Sequence, residues 1–355
     1  MSYLRLLLFP FSLIYGLVVI IRNWCYDTGF FKSQKFDVPV ISIGNLEVGG
    51  AGKSPMTEYL IRLFKNDYIL ATISRGYGRK TKGFINATEA TATAAIIGDE
   101  PAQFKHKFPD VTIAVCENRA DGIKRLLPDH NLILMDDAYQ HRVVKPGFSL
   151  LLFDYHHLTQ PHLLLPAGNM REPFSGYWRA DVLVISKCPS ALTITERDKV
   201  TKYIKPLSYQ QLFFTTITYR PFQDLAGNIT DTVIDQDTIV FLLTGIAYPR
   251  PLVQHLKNYT SFIIHHNYPD HHRFSLKNIS KLADEFSNCA SDKKLIITTE
   301  KDAQRLGEQE LQPLVKQLPI LVLPIGISFL NSGQQQFDQS VINYVRQHTK
   351  HNSIH

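Results

Sequence analysis

VISIGNLEVGGAGKSPMTEYLIRLF, residues 40–64, decides the fold. It begins with an apolar run of strand character, passes through a glycine-rich turn with glycines at 49, 50 and 52, and opens a helix on Lys53 and Ser54. A strand that feeds such a loop into a helix points backbone N–H groups inward, which is how a chain cradles phosphate. Lys53 would neutralise β/γ charge and the Ser54 hydroxyl can coordinate Mg²⁺. The strict pattern G-x-x-x-x-G-K-[ST] fails only at its first glycine, where Glu47 stands.

Outward from this unit the chain alternates apolar runs with polar, helix-compatible stretches. YILATISRG (68–76), AAIIGDE (94–100), VTIAVCEN (111–118), NLILMDD (131–137), FSLLLFD (148–154) and DVLVISK (181–187) read as strands. Near-continuous apolar strands separated by helices predict an α/β fold: a mostly parallel sheet covered on both faces. Polar residues then gather at the carboxyl ends, where open α/β sheets bind ligands. Residues 208–237 have hairpin-like character. A second α/β set follows in TIVFLLTGI (238–246), SFIIHHNYPDHH (261–272), KKLIITTEKD (293–302) and PILVLPIGI (319–327). The expected organisation is an N-terminal segment at 1–35, a core at 36–215 and a smaller domain at 216–355.

Composition narrows the partners. The chain has 355 residues, 44% of them apolar, and 38 basic against 32 acidic residues give a net charge of +6. Wholesale disorder is excluded by the apolar fraction, and the basic balance invites an anionic partner. Cys25, Cys116, Cys188 and Cys289 form no C-x-x-C pair, against a disulfide scaffold or zinc knuckle. No basic stripe interleaved with aromatics supports nucleic-acid binding.

Part of the basic excess sits beside LLLFPFSLIYGLVVII, residues 6–21, where Arg5, Arg22, Lys32 and Lys35 face Asp27 alone. As a helix this run reaches about 24 Å at 1.5 Å per residue, short of the roughly 30 Å hydrocarbon core. The following RNWCYDTGFFKSQK is too bulky for a signal cleavage site. A helix lying in an anionic membrane interface fits the pattern; a buried first helix of a soluble domain is the rival.

Candidate chemistry clusters in four places. Asp136 and Asp137 end an apolar strand, as an Mg²⁺-organising carboxylate does opposite a phosphate loop. AAIIGDEP adds Asp99 and Glu100 at an expected strand end, and ISRGYGR adds Arg75, Tyr77 and Arg79 in a glycine-relaxed turn. YPDHHRF packs Asp270, His271, His272 and Arg273 together. Histidine accepts a hydroxyl proton near neutral pH, and a carboxylate can orient it. Metal binding by the HH pairs at 156, 265 and 271 competes with this, although adjacent histidines chelate less readily than an i, i+4 pair.

The ordered series GNLEVGGAGKSP, SRGYGR, GDEP, ENRADG, DDAYQH, LLPAGNMREP, SKCP, TGIAYPRP, YPDHHRF and TEKDAQRL resembles the tetraacyldisaccharide 4′-kinases, the lipid A 4′-kinases of Gram-negative bacteria. The resemblance implies transfer of the ATP γ-phosphate to the 4′-hydroxyl of a tetraacylated glucosamine disaccharide 1-phosphate at the cytoplasmic face of the inner membrane. It also implies a P-loop core with a smaller C-terminal domain across an active-site cleft. Carried over by motif, Gly49, Gly50, Ala51, Gly52, Lys53 and Ser54 hold the triphosphate, and Ser54, Glu100, Asp136, Asp137 and Glu172 surround Mg²⁺. Asp99 and His271 correspond to a dyad that activates the hydroxyl, while Arg75, Tyr77, Arg119, Gln140, His141 and Arg171 line the phosphate and sugar sites. The chain departs from the family at Glu47, where Thr or Ser is usual, and at Ala138 and Tyr139, within DDGFQH or DDGLQH. Rival functions are a P-loop GTPase metal chaperone, for which SKCP lacks the Asp of the guanine signature, and a non-catalytic nucleotide-binding adaptor at the membrane surface.

Overall fold

Every residue of β1 (Val40–Asn45) is buried, as an apolar run must be when helices cover both faces of its sheet. The chain continues through β2 (Leu70–Ser74), β3 (Ile85–Asn86), β4 (Thr112–Val115), β5 (Leu132–Met135), β6 (Phe148–Asp154), β7 (Val182–Ser186) and β8 (Gln211–Tyr219). It then forms β9 (Ile239–Thr244), β10 (Ile263–Asn267), β11 (Lys294–Thr299), β12 (Ile320–Leu323) and β13 (Ile325–Phe329). In this computed structural model, which describes residues 3–352, β1 is central to a nine-stranded sheet of order β13-β8-β7-β6-β1-β5-β2-β4-β3. Only the outer pairs β13/β8 and β3/β4 are antiparallel, so the expected mostly parallel α/β sheet is present. A smaller parallel sheet has the order β10-β9-β11-β12.

Three expectations need correction. AAIIGDE is not a strand: Ala94–Ile97 and Asp99–Lys107 are helices separated by Gly98 at φ +96°. Alanines favour helix, and Asp99 and Glu100 sit in a first turn, where the helix dipole favours acids. The stretch 208–237 is dominated by β8, which joins the large sheet through β7 and β13; its hairpin character is confined to a Gln223–Ile229 bridge. PILVLPIGI is two strands in two sheets. Pro324 has no N–H to continue a ladder, and its carbonyl accepts from the Arg220 backbone N–H at 2.9 Å as the chain passes from β12 to β13.

This crossing also moves the expected domain boundary. Residue 215 lies inside β8, and the chain after Pro324 returns to the large sheet. There the helix Gly333–Asn352 buries Phe337, Val341 and Val345 against Phe213 and Phe329, each such side chain contributing about 1.5–3 kcal/mol. The smaller sheet is therefore an insertion between β8 and β13.

The N-terminal helix Phe9–Asp27 docks along one side only. Ser12, Gly16, Val19 and Cys25 are buried, and the Ser12 hydroxyl donates to the Leu164 carbonyl at 3.0 Å. Leu13, Ile14, Leu17, Val18, Ile21 and Trp24 remain exposed. A wholly buried first helix is thus excluded. Two of the flanking cations also turn inward: Arg5 donates to the Pro166 and Gly168 carbonyls, and Arg22 to the Gln140 carbonyl. Lys32 and Lys35 stay exposed.

Candidate active site

The phosphate loop follows β1 directly. Gly49 at φ +121° and Gly52 at φ +80° take conformations that L side chains rarely adopt, which bend the loop and aim it into the helix Lys53–Phe64. The Ser186 hydroxyl, at the end of β7, donates to the Ala51 carbonyl at 2.8 Å and braces the loop from behind. Gly50 faces Lys187, whose ammonium lies 3.9 Å from the place a Cβ would occupy. Lys187 in turn donates to Asp154 Oδ2 at 2.8 Å.

Glu47 does not point into the cradle. Its carboxylate lies 3.5 Å from His157 Nδ1, and its backbone bridges to Met170. Ala138 is absent from the residues with positive φ, so its backbone accommodates the Cβ that a glycine there would lack.

Lys53 is buried, donating to Asn45 Oδ1 at 3.1 Å and standing 3.5 Å from Asp137 Oδ1. Asp137 also accepts from Arg171 Nη1 at 2.7 Å. Burial alone would raise the Asp137 pKa, but Lys53 and Arg171 outweigh it and hold the carboxyl below its ordinary value. Asp136 behaves oppositely. It accepts from Thr57 Oγ1 at 2.8 Å, yet burial first, then Glu100 and Asp137, push its pKa up to about 7. Ser54 Oγ donates to Glu100 Oε1 at 3.0 Å. The same oxygen accepts from Lys301 Nζ at 2.8 Å, and Lys301 is the main cause that lowers Glu100 to about 2.

Asp99 and His271, distant in sequence, meet. His271 Nδ1 lies 2.9 Å from Asp99 Oδ2, and the exposed Tyr77 ring has its centroid 5.8 Å from that of His271. The hydrogen bond to Asp99 raises the His271 pKa above 6.5 despite partial burial. For Asp99, burial raises the pKa, but the bonds to His271 and Arg305 prevail and lower it below 3.8. The other adjacent histidines diverge to separate partners: His265 to Thr244, His266 to Glu285 and His272 to Asn278. Among the described residues no group of three or more His, Cys, Asp or Glu is assembled to hold a metal.

A basic cluster flanks Asp137. Arg119 is buried and donates to the Asp137 carbonyl at 3.3 Å, and its pKa falls to about 10 through burial, with Arg75 adding repulsion. His141 falls to about 4 through burial, then Arg119, Arg22 and Arg75. Its Nε2 is buried without a hydrogen-bond partner among the described residues. Gln140 donates to the Asn45 carbonyl and to Glu172 Oε1, both at 2.8 Å.

Glu172, grouped by motif with the metal carboxylates, has its own set of partners in the fold. It is fully buried, and its oxygens accept from Gln140 at 2.8 Å, Asn23 at 3.1 Å and Arg179 at 2.7 Å. A carboxylate so occupied is a brace between the N-terminal helix and the 140 turn, because a buried charge must spend its lone pairs on partners. Lys187, Asp154, Lys301 and Arg305 also belong to the site, although no motif assigns them a role. Lys301 and Arg305 fall four apart in TEKDAQRL, a spacing that puts both on one helix face and could have flagged them.

Comparison with known proteins identifies the family. The family model described as tetraacyldisaccharide-1-P 4′-kinase matches residues 4–346. Tetraacyldisaccharide 4′-kinases of Bacteroides thetaiotaomicron and Flavobacterium johnsoniae are 44% and 45% identical, over 98% of this chain and 95% and 99% of theirs. The crystal structure of "apo" form LpxK from Aquifex aeolicus in complex with ATP is 26% identical with a TM-score of 0.74, covering 96% of this chain and 99% of that one. With a phosphate loop, the paired Asp99 and His271, and a match along almost its whole length, the chain belongs to the tetraacyldisaccharide-1-P 4′-kinase family.

Proposed function

We propose that the protein transfers the γ-phosphate of ATP to the 4′-hydroxyl of a tetraacylated glucosamine disaccharide 1-phosphate, with Asp99 and His271 accepting the hydroxyl proton. The observation that carries the residue roles is the adjacency of two contacts on one helix. Asp99 holds His271, and its neighbour Glu100 holds Ser54 at the start of the phosphate-loop helix. The proton acceptor is thereby anchored to the loop that would grip the triphosphate. In the transfer, the 4′-oxygen forms a bond to the γ-phosphorus, the bond to the β,γ-bridging oxygen breaks, ADP leaves, and the proton passes to the pair.

Little covalent chemistry is asked of the chain, so alignment and charge supply most of the rate. Lys53 meets the β and γ oxygens, and backbone N–H groups of 49–52 cradle them. Arg75, Arg119 and Arg171, with Gln140, His141 and Tyr77, face the remaining phosphate and sugar groups. The nearness of Arg75 and Arg119, each of which disfavours charge on its neighbours, supports an anionic occupant, since a phosphate would offset their mutual repulsion. Mg²⁺ suits the oxygens of Ser54, Glu100, Asp136 and Asp137, and when bound it would neutralise charge on the β and γ phosphates. The donor set fits such an ion: burial first, then the nearby Glu100 and Asp137, push the Asp136 pKa up to about 7, and a divalent cation would favour its charged form. Few protein ligands are needed, because Mg²⁺ keeps waters and takes phosphate oxygens.

Incubation with γ-labelled ATP and a monophosphorylated lipid A precursor, resolved by mass, tests this reading. The expected product gains one phosphate on the distal sugar; nucleotide bound but not consumed would indicate an adaptor instead. GTP is expected to compete poorly, against the metal-chaperone alternative.

The N-terminal helix is read as lying in the cytoplasmic face of the inner membrane. Its exposed stripe of Leu13, Ile14, Leu17, Val18, Ile21 and Trp24 opposes the docked side, the pattern of an in-plane helix rather than a crossing one. Leu17→Glu should weaken co-sedimentation with anionic phospholipid vesicles by about tenfold or more, given about 1.5–3 kcal/mol per buried leucine, with unchanged melting temperature. Equal vesicle binding by the variant would refute the placement.

A further inference from the structure

The helix Glu300–Leu306 reaches across from the smaller sheet to the helix Asp99–Lys107 with three side chains. Glu300 pairs with Lys107, Lys301 with Glu100 at 2.8 Å, and Arg305 with Asp99 at 2.7 Å. Arg305 does more than close an ion pair. Its side chain is 3% exposed, and Nη2 and Nε both donate to Asp99 Oδ2, at 2.7 and 3.1 Å. Nη1 donates to the Gly245 carbonyl and to Asp302 Oδ1, each at 2.8 Å.

Gly245 is the connection to the other half of the pair. Its carbonyl also accepts from the His271 backbone N–H at 3.0 Å, and its own N–H donates to Asp302 Oδ2 at 3.1 Å. His271 sits at φ +58°, a conformation that persists in a non-glycine residue only where surrounding contacts over-determine it. One guanidinium therefore holds the Asp99 carboxylate with one edge and, through Gly245, the backbone that carries His271 with the other.

We propose that Arg305 is a positioning residue that assembles the Asp99–His271 pair across the two sheets. The inference rests on the reading of Asp99 and His271 as the proton acceptor. Only arginine can do this: its three nitrogens make five polar contacts in a fixed planar fork, Nη2 also lying 3.2 Å from His271 Nδ1, whereas lysine offers a single nitrogen. The contribution is to alignment, and misplacement of about 1 Å in a catalytic pair costs about 10²-fold in rate.

The test compares Arg305→Gln, Arg305→Lys, Asp99→Asn and the double variant Asp99→Asn/Arg305→Gln in the full-length protein with ATP and the lipid acceptor. Arg305→Gln should lower kcat by about 10²-fold with the KM for ATP within about twofold. Arg305→Lys should recover little of the loss despite its charge. In the double variant the Arg305 change should cost nothing beyond Asp99→Asn, the non-additivity expected of groups acting as a unit. Full recovery by Arg305→Lys, losses that multiply in the double variant, or near-wild-type kcat in Arg305→Gln would each overturn the assignment. Should Arg305→Gln fail to fold, guanidinium added to Arg305→Ala carries the same comparison: a gain of about tenfold supports positioning and no gain overturns it. Wild-type turnover in Asp99→Asn would instead overturn the proton-acceptor reading itself.

Discussion

Asp99→Asn is expected to slow phosphate transfer by about 10²- to 10⁴-fold, the range that general acid–base catalysis supplies, while ATP binding is retained. The substitution keeps shape and helix position but removes the charge that draws both His271 Nδ1 and Arg305 to one oxygen. Glu100 and Ser54, one residue further along, keep their contact with the phosphate-loop helix. A pH profile sharpens the test. A pair that accepts a proton works with His271 neutral, so turnover should rise with pH through the His271 pKa. That midpoint should lie above the ordinary 6.5, because Asp99 stabilises the protonated ring. In Asp99→Asn the midpoint should fall as this partner disappears. Steady-state kcat across pH, with ATP affinity measured by calorimetry, decides the matter; unchanged turnover would remove Asp99 from the chemistry.

Lys53→Met should damage an earlier step. Lys53 is a buried ammonium bonded to Asn45 and beside Asp137, at the mouth of the loop that would hold the triphosphate. Methionine keeps most of the volume and none of the charge. Loss of a preorganised charge at the transferring group costs about 10²–10³-fold in rate, and here ATP affinity should fall as well. The electrostatic consequence is local: Lys53 is one of the groups that lower the Asp136 pKa, so its removal should drive that carboxyl further toward its neutral form. Nucleotide binding and single-turnover transfer, with thermal unfolding as the control for folding, check the result. Wild-type ATP affinity in Lys53→Met would show that the ammonium does not grip phosphate. The two variants thus separate, one retaining nucleotide without turnover and the other losing the nucleotide.

The parallel sheet was legible because its strands are short, apolar on both faces and punctuated by turns, as β1, β5, β6 and β7 are. AAIIGDE deceived because a short apolar run carries no period, and the alanines and first-turn acids that make it helical are weaker signals than its isoleucines. Motif places Glu172 with the metal carboxylates, and only the fold shows the three partly buried partners that its oxygens accept from. The histidine pairs looked equivalent in sequence and are not. A strand directs neighbouring side chains to opposite faces, so His265 and His266 meet different partners.

By itself the sequence determined the phosphate loop, the apolar basic-flanked N-terminus and the family, because each is written in contiguous residues whose local geometry follows from residue type. Only the tertiary structure decided that the smaller sheet is inserted between β8 and β13, that the N-terminal helix exposes one stripe, and that Arg305 joins Asp99 to the turn of His271. These depend on contacts between residues far apart in the chain. Loop-closure entropy opposes every such contact and the packing of whole layers pays for it, so no local pattern records which distant partner is met.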